Sequence, residues 1–217
     1  MRASTISLLK TATDEGYALG AFNVYNLEGT KAVVEAAEAE RSPVILQIHP
    51  RALAQGGALL TSLCIAAAEE ATVPISVHLD HCDSAQVLRE ALRQGVKSVM
   101  VDGSALDFQG NAAFTRAMTA EAHAEGAAVE AELGRISGSE DGVEVDQLEA
   151  RMTDPEQAAR FVERTEIDAL AICIGNVHGR YPGEVRLDFE RLAAIRDLVS
   201  IPLVLHGASG LPEMLVR

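Results

Sequence analysis

Seven short apolar runs recur along the chain, at residues 18–24, 43–48, 74–79, 98–101, 127–133, 169–174 and 201–205. Each is rich in Val, Ile or Leu, the pattern of strands buried on both faces of a parallel sheet. Their first residues are 25, 31, 24, 29, 42 and 32 positions apart, close to one strand-plus-helix unit each. The intervening segments carry helical spacing. Residues 27–40 set Ala and Val among Glu and Lys. Residues 84–94 put Val87, Leu88, Ala91 and Leu92 on one face, and Gly95 supplies a stop. Residues 114–125 end at Gly126 in the same way, and Asp154-Pro155 opens a helix with an acidic cap and proline in its first turn.

This alternation predicts one α/β domain over residues 1–217 with a parallel sheet. The pattern points to a TIM (β/α)8 barrel, a fold of ~250 residues, here lacking strand eight and the C-terminal tail. A doubly wound open sheet is the competing architecture, weakened because no GxGxxG follows the first strand. One stretch breaks the rhythm. Residues 134–150 read as a long polar loop with three glycines and several acids, which in a compact domain is functional or disordered.

Composition narrows the function. The 217 residues are 48% hydrophobic, a globular value. Eighteen Lys plus Arg stand against 32 Asp plus Glu, a formal charge of -14. That sign argues against a nucleic-acid partner or an anionic membrane surface. It leaves room for phosphate ligands held by backbone amides and a metal. Cys64, Cys82 and Cys173 are too few and too widely spaced for a disulfide framework, and no CxxC occurs. Met1-Arg2-Ala3-Ser4-Thr5 has no apolar core, so no signal peptide is expected, and the longest apolar run, 169–174, is far below the ~18 residues of a membrane span. A cytoplasmic location is expected.

Histidines and acids gather at the ends of the predicted strands. His81 ends the third, His178 follows the sixth and His206 follows the seventh. In a barrel these ends form the C-terminal face, where active sites lie. Three imidazoles can supply three ligands and leave a position open, as in catalytic zinc; the alternative is three separately satisfied core histidines. Asp80, Asp102, Glu130 and Glu132 add carboxylates at the same ends. Asp102 and Glu130 read equally as caps of the following helices. Adjacent strand residues face opposite ways, so Asp80 and His81 can both serve one site only if the strand bends or stops there. Gly207-Ala208-Ser209-Gly210 before Leu211-Pro212-Glu213 reads as an anion cradle at a helix start, or as a plain turn.

Taken together, the ordered motifs Ala21-Phe22-Asn23, Pro43-Val44-Ile45-Leu46-Gln47, His78-Leu79-Asp80-His81-Cys82, Val101-Asp102-Gly103-Ser104, Glu130-Ala131-Glu132-Leu133-Gly134, Gly175-Asn176-Val177-His178-Gly179 and Leu205-His206-Gly207-Ala208-Ser209-Gly210 resemble class II, zinc-dependent ketose-bisphosphate aldolases of the fructose- and tagatose-bisphosphate type. The resemblance runs from about residue 4 to the last residue. It implies a lyase that cleaves a ketose 1,6-bisphosphate to dihydroxyacetone phosphate and glyceraldehyde 3-phosphate. It implies Zn2+ on His81, His178 and His206, with Glu132 and Asp102 at a second or shifted position for a divalent or monovalent cation. Asp80 resembles the acid that exchanges a proton with the hydroxyl at the cleaved bond. Glu140 matches the loop glutamate that moves a proton on and off the dihydroxyacetone phosphate carbon. Gly179, Gly207 and Ser209 match the phosphate cradle, and Asn23 a substrate contact. The expected assembly is a homodimer or homotetramer.

The sequence departs from the family at three places. Pro182 stands where many members carry a phosphate-binding lysine, with Arg180 and Arg186 as the nearby cations. His49-Pro50 stands where members often have Ser or Thr. The chain stops about one βα unit before family members do, which raises the alternative of a catalytically inactive truncated barrel acting as a metal-binding or partner subunit. A metal hydrolase on the same barrel is a third reading, supported only by the ligands.

Overall fold

A computed structural model describes residues 1–140, 142–147, 150–181 and 183–216, and at Glu140, Val143 and Val216 the backbone only. In chain order the elements are α1 (Thr5–Glu15), β1 (Gly20–Asn23), α2 (Leu27–Glu40), β2 (Val44–Ile48), α3 (Pro50–Glu70), β3 (Ile75–Cys82), α4 (Ala85–Arg93), β4 (Ser98–Val101) and α5 (Phe108–Ala124). They continue with β5 (Ala128–Leu133), β6 (Ser137–Glu140), β7 (Val143–Val145), α6 (Pro155–Thr165), β8 (Ala169–Ile172), β9 (Val177–His178), α7 (Phe189–Leu198), β10 (Leu203–Val204) and α8 (Glu213–Val216). All seven predicted runs become strands of one sheet, in the order β1-β2-β3-β4-β5-β8-β10. The order is that of a TIM-type (β/α) fold, and among the described residues β1 and β10 are its end strands.

Two compact units divide the chain. The first holds Met1–Val101 and Ala117–Glu130. Within it β1, β2 and β3 pair in parallel, from Gly20 with Val44 and Val44 with Ile75. Its core is built on Leu46, Ile48, Ile75, Leu79, Leu88 and Met100. Ser84, the first residue of the segment read as helical, caps α4 by accepting from Val87 N–H. The second unit holds Asp102–Arg116 and Ala131–Arg217, with Phe161, Leu170, Ile172, Ile174 and Ile195 buried. Asp154 caps α6 from its carboxylate, with Pro155 in the first turn. Within this unit α6 packs on α7, and β8 pairs in parallel with β10.

Four details differ from the pattern. β1 is exposed along most of its length, Phe22 to 52%, because an edge strand has no neighbour on one side. The last strand shrinks to Leu203–Val204, half-buried. The stretch read as a bare loop contains a hairpin. β6 pairs antiparallel with β7 and parallel with β9, and mutual backbone hydrogen bonds between Arg135 and Arg151 close its base. Finally α3, which the pattern did not single out, is among the described helices the one long and apolar enough for a membrane span. A non-helical Gly57 (φ 53°, ψ -150°) interrupts it, and it packs on β2 and β3 as a sheet-covering helix.

Candidate active site

The polar residues of β3 lie inside the first unit. Ser76, His78 and Asp80 are two apart, so they share one face of the strand. All three are buried, and each bonds a different neighbour. Ser76 pairs its hydroxyl with that of Thr5. His78 Nδ1 lies 2.7 Å from Ser98 Oγ, and His78 Nε2 lies 3.7 Å from Glu130 Oε2. Asp80 is only 1% exposed. A carboxylate there is costly unless bonded. Asn23 Nδ2 donates to its Oδ2 at 3.0 Å, and Gln47 Nε2 donates to its Oδ1 at 3.1 Å. Each oxygen therefore receives an amide donor, which fixes the plane of the carboxyl group.

The strand bends where the alternation argument requires. His81 has φ 30°, a conformation a side-chain-bearing residue seldom adopts. The register with β4 shifts between Leu79 and Cys82. Such irregularities re-aim a side chain next to active sites. The strand thus continues through His81 while breaking the strict two-residue alternation.

In the second unit the other predicted ligands form two pairs. His178 lies in β9, and His206 follows β10 by two residues. Both are buried. Their rings are 5.9 Å apart at 74°, edge to face rather than stacked, and a ring nitrogen of each lies within 4.8 Å of the other. Asp102, just after β4, and Glu132, in β5, likewise bring carboxylate oxygens within 4.8 Å of each other. Asp102 Oδ1 also accepts from Ser104 N–H at 3.0 Å, which holds a turn and does not cap α5, where Asp107 Oδ1 accepts from Gly110 N–H at 2.8 Å. Glu132 is 2% exposed and accepts from Ile136 N–H at 3.2 Å.

The remaining candidates sit as follows. Glu140 lies in β6, pairing with Val143 at the hairpin end; its carboxylate is outside the described atoms. Gly179 is exposed directly after His178, and Gly207 has φ 74°. Ser209 is exposed in a short 3-10 turn, Ala208–Gly210. A Cβ at Gly207 would come within 2.3 Å of the Val177 carbonyl oxygen, so only glycine fits there. Pro182 lies outside the described residues. Arg186 bonds Glu184 at 2.9 Å on the surface. His49 caps α3 instead of ending in open space, its Nδ1 accepting from Arg51 N–H at 3.2 Å.

Sequence reasoning gave no role to Gln47 and Asn176, although both stand in the motifs that carry the resemblance. Gln47 had a signal, as the polar residue inside the apolar run Val44-Ile45-Leu46-Gln47-Ile48. Asn176 was visible only as part of its glycine-flanked motif. In addition, none of the three thiols is a reactive group. All are buried, and burial raises the Cys64 thiol to about 11 and pushes Cys173 upward as well. A thiol-reactive dye at pH 8 is therefore expected to label the native protein slowly and to titrate three thiols after unfolding. Rapid labelling of any thiol in the native state would contradict this burial.

Comparison with known proteins decides the family. The family model "Fructose-bisphosphate aldolase class-II" matches residues 3–217. The chain belongs to the class II fructose-bisphosphate aldolase family. It is 49% identical over 219 residues to a fructose-bisphosphate aldolase of Thermus caldophilus, covering 100% of this chain and 72% of that protein. Among solved structures it resembles a candidate fructose-1,6-biphosphate aldolase from Coccidioides immitis, with TM-score 0.92 and 40% identity over 97% of this chain and 75% of that one. It also resembles the YdjI aldolase of Escherichia coli K12, with TM-score 0.86 and 38% identity over 99% and 75%. As a class II aldolase family member the chain is a lyase of the aldolase type. Aldol cleavage needs a group that takes a hydroxyl proton, and the doubly clasped Asp80 is a carboxylate built to hold one orientation.

Proposed function

We propose that the chain catalyses reversible cleavage of a ketose 1,6-bisphosphate, fructose or tagatose, to dihydroxyacetone phosphate and glyceraldehyde 3-phosphate, using a zinc ion held by His81, His178 and His206. The His178–His206 pair carries this reading. Two nitrogens on one tetrahedral zinc, each ~2.0–2.1 Å from it, lie roughly 3.4 Å apart, so small ring movements bring this pair into range. His81, at the bend of β3, offers the third imidazole. Glu132 and Asp102 form an acidic pair suited to a second cation position.

When bound, the ion supplies Lewis-acid polarisation of the substrate carbonyl. The chain's own groups move the protons. Asp80 takes the proton from the hydroxyl next to the cleaved bond and returns it in synthesis. Glu140, from the β6–β7 hairpin, adds a proton to the carbon that becomes dihydroxyacetone phosphate. Two carboxylates are needed because the two protons move at different atoms. Asn23 steadies Asp80 and faces the substrate, while Gly179, Gly207 and Ser209 offer backbone and hydroxyl groups to a phosphate. No lysine competes for a Schiff-base role. Lys10, Lys31 and Lys97 are all exposed, and Lys97 precedes β4, bonding the Glu125 carbonyl at the end opposite Asp102. Three cysteines outside any disulfide suit a reducing cytoplasm.

A coupled assay tests the reading. Fructose or tagatose 1,6-bisphosphate should yield dihydroxyacetone phosphate, read by its NADH-linked reduction. Turnover of neither sugar would refute the proposed substrate class.

A further inference from the structure

His178 and His206 lie on different stretches of chain, and one side chain joins those stretches. Asn176 is 1% exposed. Its Nδ2 donates to the His206 carbonyl at 3.0 Å and to the Ile172 carbonyl at 3.3 Å. Its Oδ1 accepts from Ile174 N–H at 2.8 Å. All three bonds go to backbone, so this amide holds chain rather than substrate. One end of the bridge is the carbonyl of His206 itself, and the other is two residues before His178.

The His178 segment is also gripped from both sides. Gly138 pairs with His178 in the β6–β9 ladder, and a Cβ at Gly138 would come 2.1 Å from the His178 carbonyl oxygen. Gly207, next to His206, approaches Val177 just as closely. The backbone around His178 therefore has little room to shift, and Asn176 sets its offset from His206.

We infer that Asn176 is a positioning residue of the metal centre. It presets the separation and tilt of the His178 and His206 rings, and so sets affinity for the ion. This rests on the proposed role of those two imidazoles as ligands. A buried amide bonded to backbone could instead be a plain structural tie, which would change stability and leave affinity per folded molecule alone. The distinction is measurable, because groups that orient metal ligands typically change affinity by 10–100-fold when removed.

The test compares four variants of the full chain for zinc affinity, by competition with a chromophoric chelator, and for the absorption spectrum of the cobalt-loaded protein. Asn176→Ala is expected to weaken zinc binding 10–100-fold and to alter the cobalt bands. Asn176→Ser guards against a variant that does not fold. Its hydroxyl can still serve Ile174 N–H but is too short for the His206 carbonyl, and it should show the same loss. Thr153→Val is the structural control. Thr153 is a buried hydroxyl that likewise ties backbone, donating to the Leu133 carbonyl and accepting from Cys173 N–H, with neither histidine among those partners. It should lose thermal stability and keep wild-type zinc affinity. His178→Ala should lose tight binding altogether. Wild-type affinity and spectrum in both Asn176 variants would overturn the inference and leave the ligand assignment standing. Equal losses in the Asn176 variants and Thr153→Val would overturn it as well, as general loosening. Tight zinc binding in His178→Ala would instead refute the ligand assignment beneath it.

Discussion

Replacing His178 or His206 with Ala is expected to reduce kcat/KM for bisphosphate cleavage on the order of a thousandfold or more. Lewis-acid stabilisation is worth several kcal/mol, and each ~1.4 kcal/mol is a factor of ten in rate. The two rings present nitrogens to one another within 4.8 Å, so removing either takes away one of the three proposed imidazole ligands. Ligands that act as a unit are not additive, so the double variant should be little worse than either single one. Steady-state kinetics with metal content measured on the same samples check this. Near-normal activity in both single variants would exclude the pair as ligands.

Asp80→Asn has the second largest expected effect. The swap keeps shape but removes the proton acceptor, which in general acid–base catalysis is worth about 10²–10⁴-fold in kcat. It also replaces an oxygen that accepts from Asn23 or Gln47 by a donor, so one of the two clasping amides loses its acceptor. KM and bound metal should change far less than kcat. That split separates loss of a proton-transfer group from loss of substrate or ion binding. A kcat within a few-fold of the parent would remove Asp80 from the mechanism.

Much of this was legible in the residues. The seven apolar runs became the seven strands because a parallel sheet covered by helices demands near-continuous apolar sequence, as Val44–Ile48 and Ala128–Leu133 show. Face alternation called for a break at Asp80-His81 if both serve one site, and the backbone has a positive φ at His81. Lys97 fell at the start of β4, as its place before Ser98 implies.

Other features were hidden for physical reasons. The exposure of β1 follows from which strand stands at the edge, and a composition such as Gly20-Ala21-Phe22 carries no such label. The β6–β7 hairpin is short and polar, held by backbone pairing and by glycines rather than by an apolar face, so hydropathy does not reveal it. Gln47 and Asn176 owe their roles to partners 33 and 30 residues away, distances at which sequence pattern is silent. The ordered motifs nonetheless pointed to the family, whose model matches residues 3–217.

The most direct measurement of the central claim is the metal dependence of cleavage. The protein is stripped with a strong chelator, separated from it, and assayed before and after one equivalent of zinc. The account predicts activity near background when stripped, recovery with zinc in wild type, and no recovery in His206→Ala. Full cleavage by the stripped protein, with metal content verified as absent, would contradict it.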